Sequence, residues 1–152
     1  MGHPTTNALP RYEFWASFPE IVAAWLFGSA VTGRRGPEPD LDFAILLERE
    51  PASGSARMNL VIQWQGRLVD ELRTDRLDVV ILNGAPLGLC HQALRYGRLL
   101  YCRDHAVRVD FETRTSSFYC DTEWLRELFG ASLKRRLLER GAPVSRRTGT
   151  DG

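Results

Sequence analysis

The sequence predicts an α/β domain with a helical C-terminal third, and three observations carry that prediction. Three short, almost wholly apolar runs have the length of buried strands. A segment with helical apolar spacing separates the second run from the third, and no proline interrupts residues 104–140, where apolar positions keep a helical period. At 152 residues, 43% hydrophobic and 26% charged, the chain has globular composition and length enough for about one core. A collagen, a coiled coil and a disordered tail are excluded.

Residues 1–10, with two prolines and several turn formers, read as a flexible lead-in; the domain is expected over 11–141, with a flexible tail at 142–152. The run Ile21–Phe27 (IVAAWLF) ends at Gly28, the pattern of a buried strand entering a tight turn. Leu41–Leu47 (LDFAILL) and residues 77–82 (LDVVIL) are the second and third strands. Between them Met58, Val61, Ile62, Leu68, Val69 and Leu72 predict a helix with one stripe on the core, capped at Ser53 or Ser55. Asn83-Gly84 is a turn dipeptide; Pro86 opens a helix to about Tyr96, and Gly97 ends it. Arg98–Cys102 is expected as an edge strand. Beyond it Trp124, Leu125, Leu128, Phe129, Leu133, Leu137 and Leu138 keep helical spacing, with a break expected near Cys120-Asp121.

Charge and cysteine usage narrow the class. Twenty Lys and Arg against 19 Asp and Glu leave +1, too balanced for whole-chain attraction to nucleic acid or anionic membrane. Cys90, Cys102 and Cys120 form no C-x-x-C pair and read as small buried apolar residues rather than a disulfide framework or zinc knuckle. His3, His91 and His105 lack metal-ligand spacing and read as surface or packing residues. No run approaches the ~18 apolar residues of a membrane span, and the first residues lack a secretory pattern, so the expected compartment is the cytoplasm.

The chemistry is concentrated after the first strand. Gly28-Ser29 is followed by ten residues and then Asp40-Leu41-Asp42, a GS-x10-D-x-D pattern. Side chains two apart on a strand share a face, so Asp40 and Asp42 point one way while Leu41 and Phe43 point into the core. Neighbouring carboxylates repel, and hard divalent ions such as Mg²⁺ offset that repulsion through oxygen ligands. Asp78 is a lone acid inside the third apolar run, where an ionised group is costly unless paired or ligated; convergence on Asp40 and Asp42 would explain it. Three such carboxylates can hold two metal ions about 4 Å apart across an in-line displacement at phosphorus, with Asp78 placed to accept the nucleophile's proton. Gly28 lets a backbone come close to a triphosphate, and Ser29 can cap a short helix and donate its hydroxyl to the terminal phosphate. Arg34 and Arg35 could close over the phosphates, meet a protein partner, or simply be a solvated loop.

These residues carry a resemblance. AWLFGSAVTGRRGPEPDLDFAILL with the later LDVVIL resembles the minimal nucleotidyltransferases of the polymerase beta superfamily. The stretch APLGLCHQALRYGRLLYCRDHAVRVDFETRT is similar to their MntA branch, the antitoxins of type VII HEPN/MNT toxin–antitoxin pairs. The resemblance spans roughly residues 20–140. It implies a nucleotidyltransferase fold, a small mixed sheet backed by helices, with ATP and Mg²⁺ as cosubstrate and cofactor. It also implies transfer of AMP to a tyrosine of a partner HEPN ribonuclease. Asp40, Asp42 and Asp78 match the family's catalytic, metal-binding triad, and Gly28 and Ser29 its phosphate-binding turn. One departure is Pro39, where many members have Ser; a proline removes one backbone N–H from that position.

Size points toward a protein acceptor. One core leaves no second domain to orient a substrate hydroxyl, and positioning can supply as much as ~7–11 kcal/mol of a barrier, so the acceptor should arrive already oriented. Phe118, Tyr119 and Trp124 are candidate docking anchors, with a core role the expectation for Trp124. From Lys134 onward six basic residues stand against two acids, a balance that could bind RNA or an acidic partner face, although the macrodipole of a helix end explains the first four equally well; direct nucleic-acid binding is not expected. The rival to catalysis is a stoichiometric antitoxin that binds and blocks the HEPN toxin while only retaining the carboxylates.

Overall fold

The computed structural model describes residues 9–28, 31 and 40–121. Expectations at His3, Ser29, Arg34, Arg35, Pro39, Trp124 and the basic stretch from Lys134 lie outside the described residues. The elements run α1 (Tyr12–Ala16), β1 (Ile21–Phe27), β2 (Leu41–Leu47), α2 (Gly54–Leu72), β3 (Leu77–Ile81), α3 (Leu87–Tyr96), β4 (Arg98–Cys102) and α4 (His105–Asp121). The four strands form one sheet in the order β3-β2-β1-β4. β1 pairs antiparallel with both β2 and β4, whereas β2 and β3 are parallel, so the sheet is mixed. A parallel pair needs a crossover, and α2 supplies it.

Strand alternation sorts the core onto two faces. Leu41, Phe43, Ile45 and Leu47 of β2, with Leu77, Val79 and Ile81 of β3, join Trp15, Phe18, Trp64 and Leu68 under α1 and α2. The alternate residues Ala44, Leu46 and Leu82 join Trp25, Cys90 and Ala93 under α3, with Phe111 of α4 packed alongside. Both faces of β2 are therefore covered, which is why LDFAILL reads as a continuous apolar run. Asp42 belongs to the second face but sits at its open end.

Local signals explain most boundaries. Ser53 caps α2, its Oγ accepting from Ala56 N–H at 3.0 Å. Gly97 ends α3 with its N–H donated to the Ala93 carbonyl, and Gly84 takes φ +76° in the turn after Asn83. Two expectations are corrected. Met58 and Ile62 do not face the core: they are 58% and 59% exposed, whereas Val61, Leu68, Val69 and Leu72 pack on it as expected, joined by Trp64. Of the cysteines, Cys90 is buried, but Cys102, at the end of the edge strand β4, is half-buried and Cys120, in the last turn of α4, is exposed. Among the described residues, no helix is long and apolar enough to cross a membrane.

Candidate active site

The parallel pairing of β2 with β3 puts Asp42 and Asp78 opposite one another as register partners. Neighbouring strands lie about 4.8 Å apart. Two full charges near that separation repel by up to about 3 kcal/mol at an effective dielectric near 20, less where water reaches them. The sequence argument places the burial cost on Asp78; the structure places it on Asp42. Asp78 lies on the edge strand and is exposed, whereas Asp42 is half-buried. Burial, with the charges of Asp78 and Asp40 added, raises the Asp42 carboxyl above its ordinary range.

Gly28 closes the other side of Asp42. Phe27, the last residue of β1, is the register partner of Asp42, so the turn at Gly28 lies beside that carboxylate. Gly28 has φ +79°, and a Cβ there would collide with Asp42 Oδ2. Val31 N–H returns to the Gly28 carbonyl at 3.1 Å, which tightens the exit of the turn. The first strand therefore ends in a glycine for two reasons: the left-handed backbone and the space the acid occupies.

Asp40 and Asp78 each meet a residue the motif does not contain. Arg76 Nε lies 3.4 Å from Asp40 Oδ1, both side chains being about half exposed. Gln65 of α2 donates its amide to Asp78 Oδ1 at 3.3 Å and to the Leu77 carbonyl at 3.4 Å. Neither was legible as a site residue from the sequence; the signal was the R-L-D at 76–78, which mirrors D-L-D at 40–42 once the two strands are known to be in register. Among the described residues, no trio of His, Cys, Asp or Glu closes on one ion position. The donors that do come together, the Asp42 and Asp78 carboxylates, are hard oxygens whose mutual repulsion a divalent cation would relieve, so the residues present fit Mg²⁺ chemistry with Asp42 and Asp78 at its centre. An open concavity of about 810 Å³ at the C-terminal end of α2, lined by Val69, Asp70, Arg73, Thr74 and Asp75, lies on the turn before Arg76, and none of the three acids lines it.

Residues 12–106, the stretch that holds this arrangement, match the family model "Polymerase beta, Nucleotidyltransferase". The chain belongs to the polymerase beta nucleotidyltransferase family. Solved structures agree. The nucleotidyltransferase is similar to a chain in the crystal structure of a toxin–antitoxin with AMP-PNP, at 25% identity and a TM-score of 0.60, covering 78% of this chain and 90% of that one. It shares its fold with a chain of the tri-AMPylated Shewanella oneidensis HEPN toxin in complex with MNT antitoxin, at 24% identity, TM-score 0.56, and 78% and 87% coverage. A chain of the MntA-HepT toxin–antitoxin has the same fold, at 24% identity, TM-score 0.55, and 78% and 88% coverage. No curated protein matches the nucleotidyltransferase in sequence.

Proposed function

We propose that this chain is the antitoxin of a toxin–antitoxin pair and neutralises a HEPN ribonuclease by Mg²⁺-dependent transfer of AMP from ATP to a tyrosine of that toxin. The observation that carries the reading is the register pairing of Asp42 with Asp78 beside the left-handed turn at Gly28. The likeness to a toxin–antitoxin bound to AMP-PNP and to a complex with a tri-AMPylated toxin supports it.

In this reading Asp42 and Asp78, joined by Asp40, would hold the cation. Bound Mg²⁺ would draw charge from the triphosphate and fix the attacking and leaving oxygens in line. Asp78, exposed on the edge strand, takes the proton of the tyrosine hydroxyl as its oxygen bonds to the α-phosphorus. The bond from that phosphorus to the bridging oxygen breaks, and pyrophosphate leaves with the electron pair. Gly28 lets the backbone approach the triphosphate, Ser29 donates its hydroxyl to the phosphate, and Arg34 and Arg35 close over it. The acceptor is oriented by the partner's own fold.

The test is incubation of the chain with labelled ATP, Mg²⁺ and a HEPN ribonuclease that it binds. Label should pass to the partner, and Asp40→Ala with Asp42→Ala should abolish both transfer and neutralisation. One observation favours the stoichiometric reading: Asp40 is already engaged by Arg76. That reading predicts no label on the partner, and neutralisation by the double variant equal to wild type.

A further inference from the structure

The β2–β3 register makes a ladder of two rungs on one face. Asp42 stands opposite Asp78. One step earlier, Leu41 N–H donates to the Arg76 carbonyl at 3.0 Å, and Asp40 meets the Arg76 side chain. Residues two apart on a strand share a face, so Arg76 is aligned with Asp78 as Asp40 is with Asp42. The approach is fixed from the backbone, because Arg76 N–H also donates to Thr74 Oγ1 at 3.2 Å, holding the turn that delivers it. One rung thus carries like charges and the next carries opposite charges, about 7 Å further along the strands.

We infer that Arg76 is a built-in counter-ion for Asp40, a positioning residue that a divalent cation must displace to recruit Asp40 into the site. Three carboxylates alone would carry −3; with Arg76 the group carries −2. The guanidinium stands on the one carboxylate that is not part of the like-charged rung. The free protein therefore keeps its acid cluster partly neutralised, and metal affinity is set by a competition for Asp40. A pair with half-exposed partners is weak enough to be exchanged for a doubly charged ion. This inference rests on the proposed reading of the site as a cation site.

The experiment measures Mn²⁺ binding to the full chain by electron paramagnetic resonance, without nucleotide. Arg76→Gln should bind Mn²⁺ roughly three- to tenfold more tightly than wild type, since one nearby positive charge is gone. Arg76→Lys, which keeps the charge, should stay close to wild type. Asp40→Asn placed in the Arg76→Gln background should erase the gain, which a general change in stability would not do. Melting curves check folding, and Arg76→Met, which retains the aliphatic stem, replaces Arg76→Gln if that variant does not fold. Equal or weaker Mn²⁺ binding by the neutral variants overturns the inference. If wild type binds Mn²⁺ and loses it in Asp42→Asn while Arg76→Gln matches wild type, the cation site stands and the counter-ion falls. If neither wild type nor Arg76→Gln binds Mn²⁺, both fall.

Discussion

The two ends of the β2–β3 pair treat their polar groups in opposite ways. At the C-terminal end Asn83 exchanges two hydrogen bonds with Leu47, accepting from its N–H at 2.8 Å and donating to its carbonyl at 2.9 Å. Arg57 of α2 donates to the Ile81 carbonyl at 3.2 Å and to the Asn83 carbonyl, and pairs with Glu50 at 3.6 Å. Donors there meet acceptors, and the result is a clamp between strands and helix. At the N-terminal end the register sets Asp42 against Asp78, and the half-buried member is the one that carries the desolvation. Arg76 on Asp40 and Gln65 on Asp78 offset part of the charge there, and what stays uncompensated between the strands is the like-charged rung of Asp42 and Asp78.

Breaking each end should therefore cost different things. Asp42→Asn should lower the proposed AMP transfer by roughly 10²–10³-fold or more while leaving the fold intact, as read from labelled-ATP kinetics beside melting curves. Gly28→Ala should strike both properties. The left-handed backbone costs on the order of 1–3 kcal/mol of stability, and the collision with Asp42 should also weaken nucleotide binding measured by calorimetry. Asn83→Ala should be the reverse of Asp42→Asn: about 1–3 kcal/mol of stability lost in denaturant titration, with nucleotide affinity unchanged.

The smallest expected effect is the pH dependence of the metal-free protein. Because the Asp42 carboxyl is raised in the folded state, the native protein holds a proton that the unfolded chain gives up near the ordinary value of 3.8. Stability contributed by this group is then full below that value and falls as pH rises through the raised one. Melting temperatures of wild type and Asp42→Asn should diverge in that direction, and added Mg²⁺ should restore the wild type at the upper end. A wild-type curve parallel to that of the variant would remove the electrostatic half of the comparison.

The strands were legible because their apolar runs are continuous and bounded by Gly, Pro and polar residues, and D-x-D fixed which residues of β2 face away from α1 and α2. The helix α2 was legible in extent and, through Val61, Leu68, Val69 and Leu72, in most of its core-facing stripe, but Met58 and Ile62 were placed on the wrong side. Ile62 lies two residues before Trp64, about 200° around a helix, so both cannot meet the same sheet, and the larger ring wins the core. The helix α1 went unread because five residues, YEFWA, are too few to show a period. Arg76 and Gln65 were hidden for a different reason: each acts through a neighbour brought close by strand register and helix packing, and neither has a spacing of its own to reveal it. The contribution of Asp78 was seen for the wrong cause, since an acid in an apolar run on an edge strand need not be buried.

The most direct measurement is anomalous diffraction from crystals of the chain grown with Mn²⁺ and a non-hydrolysable ATP analogue. The account predicts a Mn²⁺ peak within ligand distance of the Asp42 and Asp78 carboxylates, with the triphosphate against the Gly28 turn. Nucleotide bound elsewhere, or a peak that touches neither carboxylate, would contradict it.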